Sequence, residues 1–197
     1  GGYINAKRRW YRGYLMIQNH NKKLIVINNV NLEDYIRGVV PSEMPSSWEM
    51  EALKAQAIAA RSYALANLGK RASLGFDLKD TPEDQAYGGA SSETARTNSA
   101  VQETDGLVLT YNYKVVPAYY SASAGGQTLN AKQVWGSDLP YIRSVPSYDG
   151  NVKKNGHGLG MSQHGANNLA KQGYNAYQIL QYFYKNVKFA RANEHSV

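Results

Sequence analysis

Glu43 is the residue of this sequence best suited to acid–base chemistry. It lies between Pro41 and Pro45 in the stretch VVPSEMPSSWEM, and Met44 and Trp48 offer apolar surface beside its carboxyl group. Partial burial against such side chains raises the pKa of a carboxyl and keeps it protonated near neutral pH, as a general acid requires. A lone glutamate in a proline-flanked turn is also a common structural or exposed residue, so this pattern alone leaves both interpretations open.

Lys54 and Arg61 are two cations in the alanine-rich, otherwise apolar segment that follows Glu43. Their spacing of seven residues places them on nearly the same side of a helix, roughly 10 Å apart along its axis. Because an unpaired buried cation is costly, we expect them to face a cleft or to meet partners. The alternative is that both side chains extend along the helix edge to reach water.

A second group of candidates lies in GHGLGMSQHGA, residues 156–166, which contains four glycines and two histidines. His157 and His164 could act as a base, as a metal pair or as supports for a ligand. A metal site is the poorest of these interpretations, because two histidines without a nearby Cys, Asp or Glu supply too few ligands. The stretch also lacks the last glycine of a serine-hydrolase elbow and the leading strand of a dinucleotide loop. The glycines indicate only that backbone closely approaches a ligand or another helix.

Composition widens the list of binding partners without selecting one. Lys and Arg exceed Asp and Glu by seven, and the sequence pI is about 9.4, which favours polyanions such as nucleic acid, anionic lipid or bacterial wall polymers. The 16 tyrosines suit stacking on sugars or single-stranded nucleic acid, and Tyr119 and Tyr120 are the preferred exposed pair. A nucleic-acid binder rests on these two features alone and is the weakest hypothesis.

Several classes of protein are excluded by what the sequence lacks. It contains no cysteine, which removes disulfides, thiolate nucleophiles and cysteine-ligated zinc. No stretch reaches the roughly 18 apolar residues of a membrane span, and no signal peptide begins the sequence. Any link to a membrane is therefore expected through an anchor outside this chain.

The elements that must position these residues alternate without a regular β–α–β order. We predict a hairpin over 14–28, a short helix capped by Asn31, a long buried helix at about 47–68 and a helix over 91–104. Strands over 107–111 and 114–120 and final helices over 162–172 and 175–185 follow. This order favours an α+β fold in which a mainly antiparallel sheet packs with helices, in a single domain over 1–197.

Five motifs in this order resemble the stage II sporulation protein D and amidase-enhancer family. They are NVNLEDYIRGVVPSEMPSSWEMEALKAQAIAARSYA, DQAYGG, YYSASAGGQT, VWG with LPYIRSV, and GHGLGMSQHGA, spanning about residues 24–187. The resemblance implies a bacterial cell-envelope protein, outside the cytoplasm, that acts on peptidoglycan glycan strands beside a cell-wall amidase. Sporulation members are lytic transglycosylases that cut strands stripped of stem peptides, whereas other members enhance an amidase.

The resemblance also implies roles for individual residues. Glu43 matches the catalytic glutamate of the S-E-M motif, and Lys54 and Arg61 match a lysine and an arginine implicated in substrate binding. No cofactor is expected. The aromatic pair and the two glycine-rich stretches complete the expected substrate-binding set: Tyr119, Tyr120, Ser121, Gly125, Gly126, His157, Ser162 and Gln163.

Two departures from the family pattern qualify this picture. Some relatives hold zinc through cysteine and histidine near the glycine turn, but Tyr119 to Gly126 contains neither residue type, so no metal is carried over. The family also has a longer segment where only residues 146–155 stand here. The chain is therefore either a compact variant or one from which a loop has been removed.

Overall fold

The structure of the protein is a computed structural model that describes residues 2–192 and 197. The helices are α1 (Leu32–Glu43), α2 (Met50–Ala66), α3 (Ala95–Glu103), α4 (Ala131–Trp135), α5 (Gln163–Lys171) and α6 (Ala176–Phe183). The strands are β1 (Ile4–Ala6), β2 (Arg9–Tyr11), β3 (Tyr14–His20), β4 (Lys23–Asn29), β5 (Leu107–Tyr111), β6 (Lys114–Val115), β7 (Tyr120–Ser121), β8 (Met161–Ser162) and β9 (Lys188–Arg191). Four strand pairs are antiparallel and one is parallel. The predicted α+β fold with a mainly antiparallel sheet is confirmed.

Helix α2 is the centre of the core, as the sequence predicts. Six of its seven alanines are fully buried, and their small side chains let α1, α3, α5, α6 and β5 pack around it. The helix begins at Met50, after Glu49, whereas its expected start was at about residue 47. That expectation is wrong because the chain first makes a tight turn, in which the Trp48 amide donates to the carbonyl of Pro45 at 3.0 Å.

Helix α1 carries Glu43 at its end. Pro41 lies inside the helix, although a proline usually pushes the preceding residue, here Val40, into an extended conformation. A proline near the end of a helix removes one hydrogen bond, and here the following turn still closes, because the Met44 amide donates to Val40 at 2.9 Å. Met44 itself is extended, as the residue before a proline usually is. Glu43 is therefore held on a helical turn and does not lie in a loop.

The predicted strand over 114–120 is split into two. Residues 114–115 pair with β5, and Tyr120–Ser121 pair with β8 instead. Pro117 explains the break, because a proline cannot donate to the strand ladder. The parallel pairing of Tyr120 with Met161 and Ser121 with Ser162 brings the two glycine-rich stretches together.

The other predicted elements lie close to their expected positions, whereas β1, β2, α4, β8 and β9 were not predicted. Asn31 caps α1 by accepting from the Glu33 amide, the hairpin of β3 and β4 turns at Asn21 and Lys22, and Gly173 separates α5 from α6. One hydrophobic cluster extends from Val30 to Val187. In the part of the chain that the structure describes, no helix is long and apolar enough to cross a membrane.

Candidate active site

The carboxyl group of Glu43 is half-buried and held by three donors from distant segments. Its Oε1 accepts from the Ala86 amide at 2.9 Å and from the Tyr120 hydroxyl at 3.3 Å. Its Oε2 accepts from the Gln163 side-chain amide at 3.2 Å. Because Oε1 already receives two donors and Oε2 only one, Oε2 is the oxygen better placed to carry a proton.

Burial sets the protonation of this acid. The loss of solvent around Glu43 raises the pKa of its carboxyl above the usual 4.5, and the hydrogen bonds from Ala86, Gln163 and Tyr120 only partly oppose the rise. Lys54 and Arg61 have no part in this balance. The carboxyl thus keeps its proton at higher pH than an exposed glutamate does, which is the property expected of a general acid.

This burial predicts a measurable link between pH and stability. A carboxyl with a raised folded-state pKa contributes stability that is complete below the unfolded pKa, near 4.5, and is lost as pH rises through the folded pKa. We expect this loss in the wild-type protein, with a slope of at most about 1.4 kcal/mol per pH unit, and expect it to be absent in Glu43→Gln. Urea unfolding of both proteins between pH 4 and 7 measures the difference. If the two proteins differed in free energy of unfolding by the same amount at every pH in that range, the raised pKa of Glu43 would be contradicted.

The donors around Glu43 are fixed by a chain of buried side chains. Tyr120 accepts at its hydroxyl from the Gln85 amide at 3.0 Å, and Gln85 in turn accepts from the Tyr35 hydroxyl at 3.0 Å. On the other side, Gln163 also donates to Gln56 at 3.0 Å. Since one Gln163 nitrogen serves both acceptors, its amide orientation is determined. Of the predicted substrate-binding set, Tyr120 and Gln163 therefore lie directly on the acid.

The glycine turn at 124–126 encloses Asp149, a residue that the sequence did not single out. One carboxyl oxygen of Asp149 accepts from the amides of Ala124, Gly125 and Gly126 at 2.8, 2.6 and 3.2 Å. Its other oxygen accepts from the hydroxyl of Ser162, which caps α5. Burial favours the neutral acid, but the hydrogen bonds outweigh it, and the pKa of Asp149 lies below its usual value. Asp149 is an anion that ties the turn to the start of the helix carrying Gln163.

The other glycines make room for the chain's own backbone. A side chain at Gly160 would lie 2.1 Å from the Tyr119 carbonyl, and one at Gly156 would lie 2.6 Å from Ser121. Both have positive φ angles, 66° and 106°. Ser121 is buried beneath Gly156 and Ser162 faces Asp149, so neither is exposed for direct contact with a ligand.

The predicted aromatic pair divides between two positions. Tyr120 faces Glu43, whereas the Tyr119 ring packs edge-on against Trp135 at 4.6 Å and against Tyr63 at 5.9 Å, measured between centroids. His157 joins this cluster and accepts from the Leu159 amide at its Nδ1. Burial and the charge of Lys154 lower the pKa of His157, so its ring is neutral at pH 7.

Arg61 is far from the exposed role that the resemblance implied. Its side chain is fully buried, and it donates to both carboxyl oxygens of Glu33 at 2.8 and 2.7 Å and to the Leu107 carbonyl at 2.9 Å. Arg61 is thus already paired within the protein, with its donors facing α1 and the start of β5, and its role in substrate binding stays a prediction. The expectation that a cation on this helix meets partners is confirmed.

Lys54 likewise pairs within the protein. Its ammonium group lies 3.1 Å from Glu51 and 2.5 Å from Glu103, so it links α2 to α3 rather than approaching Glu43. The second histidine, His164, packs edge-on against Trp48 at 4.9 Å. Within residues 2–192 and 197, no group of three or more His, Asp or Glu side chains could hold a metal ion.

Comparisons with known proteins agree with the motif pattern. The family described as stage II sporulation protein matches residues 20–111. The amidase enhancer of Bacillus subtilis is 45% identical over 107 residues, which cover 54% of this chain and 14% of that protein. The stage II sporulation protein D of the same organism is 28% identical, over 85% of this chain and 76% of its own length.

A further relative is an uncharacterized protein of Brachyspira hyodysenteriae, 43% identical over 136 residues, or 68% of this chain and 37% of that protein. The chain thus spans little more than a third of this relative and a seventh of the amidase enhancer. Four relatives match in all. Two of them, from Bacillus subtilis and Bacillus amyloliquefaciens, carry the name stage II sporulation protein D. These matches support the resemblance to the stage II sporulation protein D and amidase-enhancer family.

Proposed function

We propose that the protein is a lytic transglycosylase that cleaves peptidoglycan glycan strands, preferably those stripped of stem peptides. The observation that supports this most strongly is the half-buried carboxyl of Glu43, whose pKa is raised by burial and which three donors hold in one orientation. No cofactor takes part in the proposed reaction.

The first step is proton donation. Glu43, protonated at Oε2, gives its proton to the glycosidic oxygen as the bond from that oxygen to C1 of the muramic residue breaks. The leaving sugar departs with a free hydroxyl, and positive charge develops at C1. Glu43 is left as a carboxylate that accepts hydrogen bonds from Ala86, Tyr120 and Gln163, all of which stabilise the negative charge.

The second step returns the proton. The carboxylate of Glu43 takes the proton of the muramic 6-hydroxyl, and the 6-oxygen bonds to C1 to close a 1,6-anhydro ring. No water enters, so the second carboxylate that ordinary glycosidases need is not required. This suits a site whose neighbouring carboxylate, Asp84, is buried and paired with Lys70 and Arg71.

Tyr120 has a positioning role in this scheme. Burial raises its pKa well above 10, with the charge of Glu43 adding to the effect, so its hydroxyl stays neutral and donates to Oε1. We expect Tyr120→Phe to raise the Glu43 pKa further, because a hydrogen bond that lowers it is lost. NMR titration of the Glu43 carboxyl carbon measures this shift independently of catalysis. An unchanged or lower pKa would contradict the contact.

The second candidate function is that of a non-catalytic partner that binds glycan and activates a cell-wall amidase. The name of the Bacillus subtilis relative, amidase enhancer, favours it. In both cases we place the protein outside the cytoplasm, in the bacterial cell envelope, acting as a single domain. Its surplus of seven positive charges suits an acidic wall polymer.

Incubation with peptide-free glycan strands, followed by mass spectrometry, separates the two functions. Products lighter by one water than hydrolytic fragments have anhydro ends and support the transglycosylase. Hydrolytic masses would point to a muramidase, and strands left intact while an amidase is stimulated would support the enhancer.

A further inference from the structure

Three consecutive residues connect the acid to a pair of cations. The Ala86 amide donates to Glu43, the preceding Gln85 holds Tyr120, and Asp84 binds both Lys70 and Arg71. Two residues of chain span at most about 7 Å, so one short segment holds both the acid and the pair of cations.

The contacts around Tyr63 support this proximity. The Lys70 ammonium lies 5.9 Å from the centre of the Tyr63 ring and 3.4 Å from its hydroxyl. The Tyr63 ring lies 6.5 Å from the ring of Tyr120, whose hydroxyl touches Glu43. The cations and the acid are thus joined by one layer of packed side chains.

Lys70 and Arg71 keep donors that the protein does not use. Asp84 is fully buried and accepts from Lys70 at 2.6 Å and from the Arg71 Nε at 2.8 Å, while the two cations are 37% and 21% exposed. Among the described residues, the terminal nitrogens of Arg71 have no acceptor within hydrogen-bond distance, and Glu83 approaches no closer than 3.8 Å. One carboxylate shared by two cations leaves a net positive charge.

We propose that Lys70 and Arg71, oriented by Asp84, form a carboxylate-binding subsite beside Glu43 that recognises the lactyl carboxylate of a muramic residue. The inference rests on the proposed glycan substrate. A guanidinium fork and an ammonium group suit a carboxylate, and Asp84 holds both side chains in place before the ligand arrives. The subsite supplies the substrate binding that had been expected from Lys54 and Arg61. Those two side chains form ion pairs with Glu103 and Glu33 instead.

Calorimetric binding to two probes tests the subsite, with Glu43→Gln present in every protein so that no strand is cut. The probes are peptide-free peptidoglycan strands and N-acetylglucosamine oligomers of equal length, which share the β-1,4 backbone but lack the carboxylate. We expect the acidic strand to bind about tenfold more tightly at low salt. Lys70→Gln with Arg71→Gln should remove that preference and leave binding of the neutral oligomer unchanged.

The matched control is Lys22→Gln with Lys23→Gln, which removes two adjacent exposed cations at the tip of the hairpin. It should keep the tenfold preference. If loss of the cations unfolds the protein by leaving Asp84 unpaired, Asp84→Asn is added to the pair. Equal affinity of the unaltered subsite for both probes, or a preference that survives the double substitution, overturns the proposal.

The outcome is distinguishable from failure of the proposed function. Anhydro products without a preference for acidic strands would leave the transglycosylase in place and remove the subsite. A preference without any cleavage would retain the subsite in a glycan-binding enhancer.

Discussion

Glu43→Gln is expected to abolish cleavage of glycan strands while leaving strand binding nearly unchanged. Glutamine cannot give a proton to the glycosidic oxygen or take one from the 6-hydroxyl, and both steps of the proposed reaction use this one group. Positioned acid–base groups contribute on the order of 10²–10⁴-fold to rates, and we expect a loss at the upper end of that range. Release of anhydro-ended fragments, quantified by mass spectrometry, measures the loss.

Glu49→Gln is the matched control. Glu49 lies six residues further along, is exposed, and makes no side-chain cap to α2, so the same chemical change should leave cleavage unaltered. Strand cleavage that persists in Glu43→Gln would refute the proposed acid. Amidase stimulation that persists while neither protein cuts glycan would support the enhancer.

Arg61→Leu is expected to have the largest effect on stability. Removing one partner of a buried ion pair leaves the other charge without compensation, which costs about 3–5 kcal/mol. Here Glu33 would lose both bonds from the guanidinium, and the Leu107 carbonyl would lose its donor. Urea unfolding at constant pH gives the change in the free energy of unfolding.

Two comparisons make the result specific. Arg143→Leu breaks an exposed pair with Asp138 and should cost no more than about 1 kcal/mol. Adding Glu33→Gln to Arg61→Leu should recover part of the loss, because the uncompensated carboxylate is then removed. A normally stable Arg61→Leu that had lost strand binding would instead restore the substrate-binding role for Arg61.

The sequence predicted the central elements well because their signals are local. Alanine and other apolar residues around the whole circumference of α2 indicate a buried helix, and Asn31 is a clear cap for α1. The interpretation that Glu43 lies in a proline-flanked turn was wrong, because Pro41 is part of the helix. A proline is tolerated there because the lost hydrogen bond lies near the helix end and the next turn still closes.

Sequence motifs predicted those residues of the candidate site whose side chains contact Glu43 directly. Glu43, Tyr120 and Gln163 meet in the structure. Neither Gln85, which holds Tyr120, nor Asp149, which binds Ser162, was singled out, although Gln85 lies in the DQAYGG motif. For Lys54 and Arg61, the sequence indicated candidate residues but not their partners. Spacing placed them on one side of a helix, but only the tertiary structure shows that Glu103 and Glu33 occupy them.

The donors that surround Glu43 lie 43, 77 and 120 positions away from it along the chain. In a nascent polypeptide this glutamate is therefore exposed and ionised at neutral pH. Its pKa rises only when folding buries it among these distant segments. An activity hazardous to the wall that contains it would, on this basis, stay latent until folding is complete.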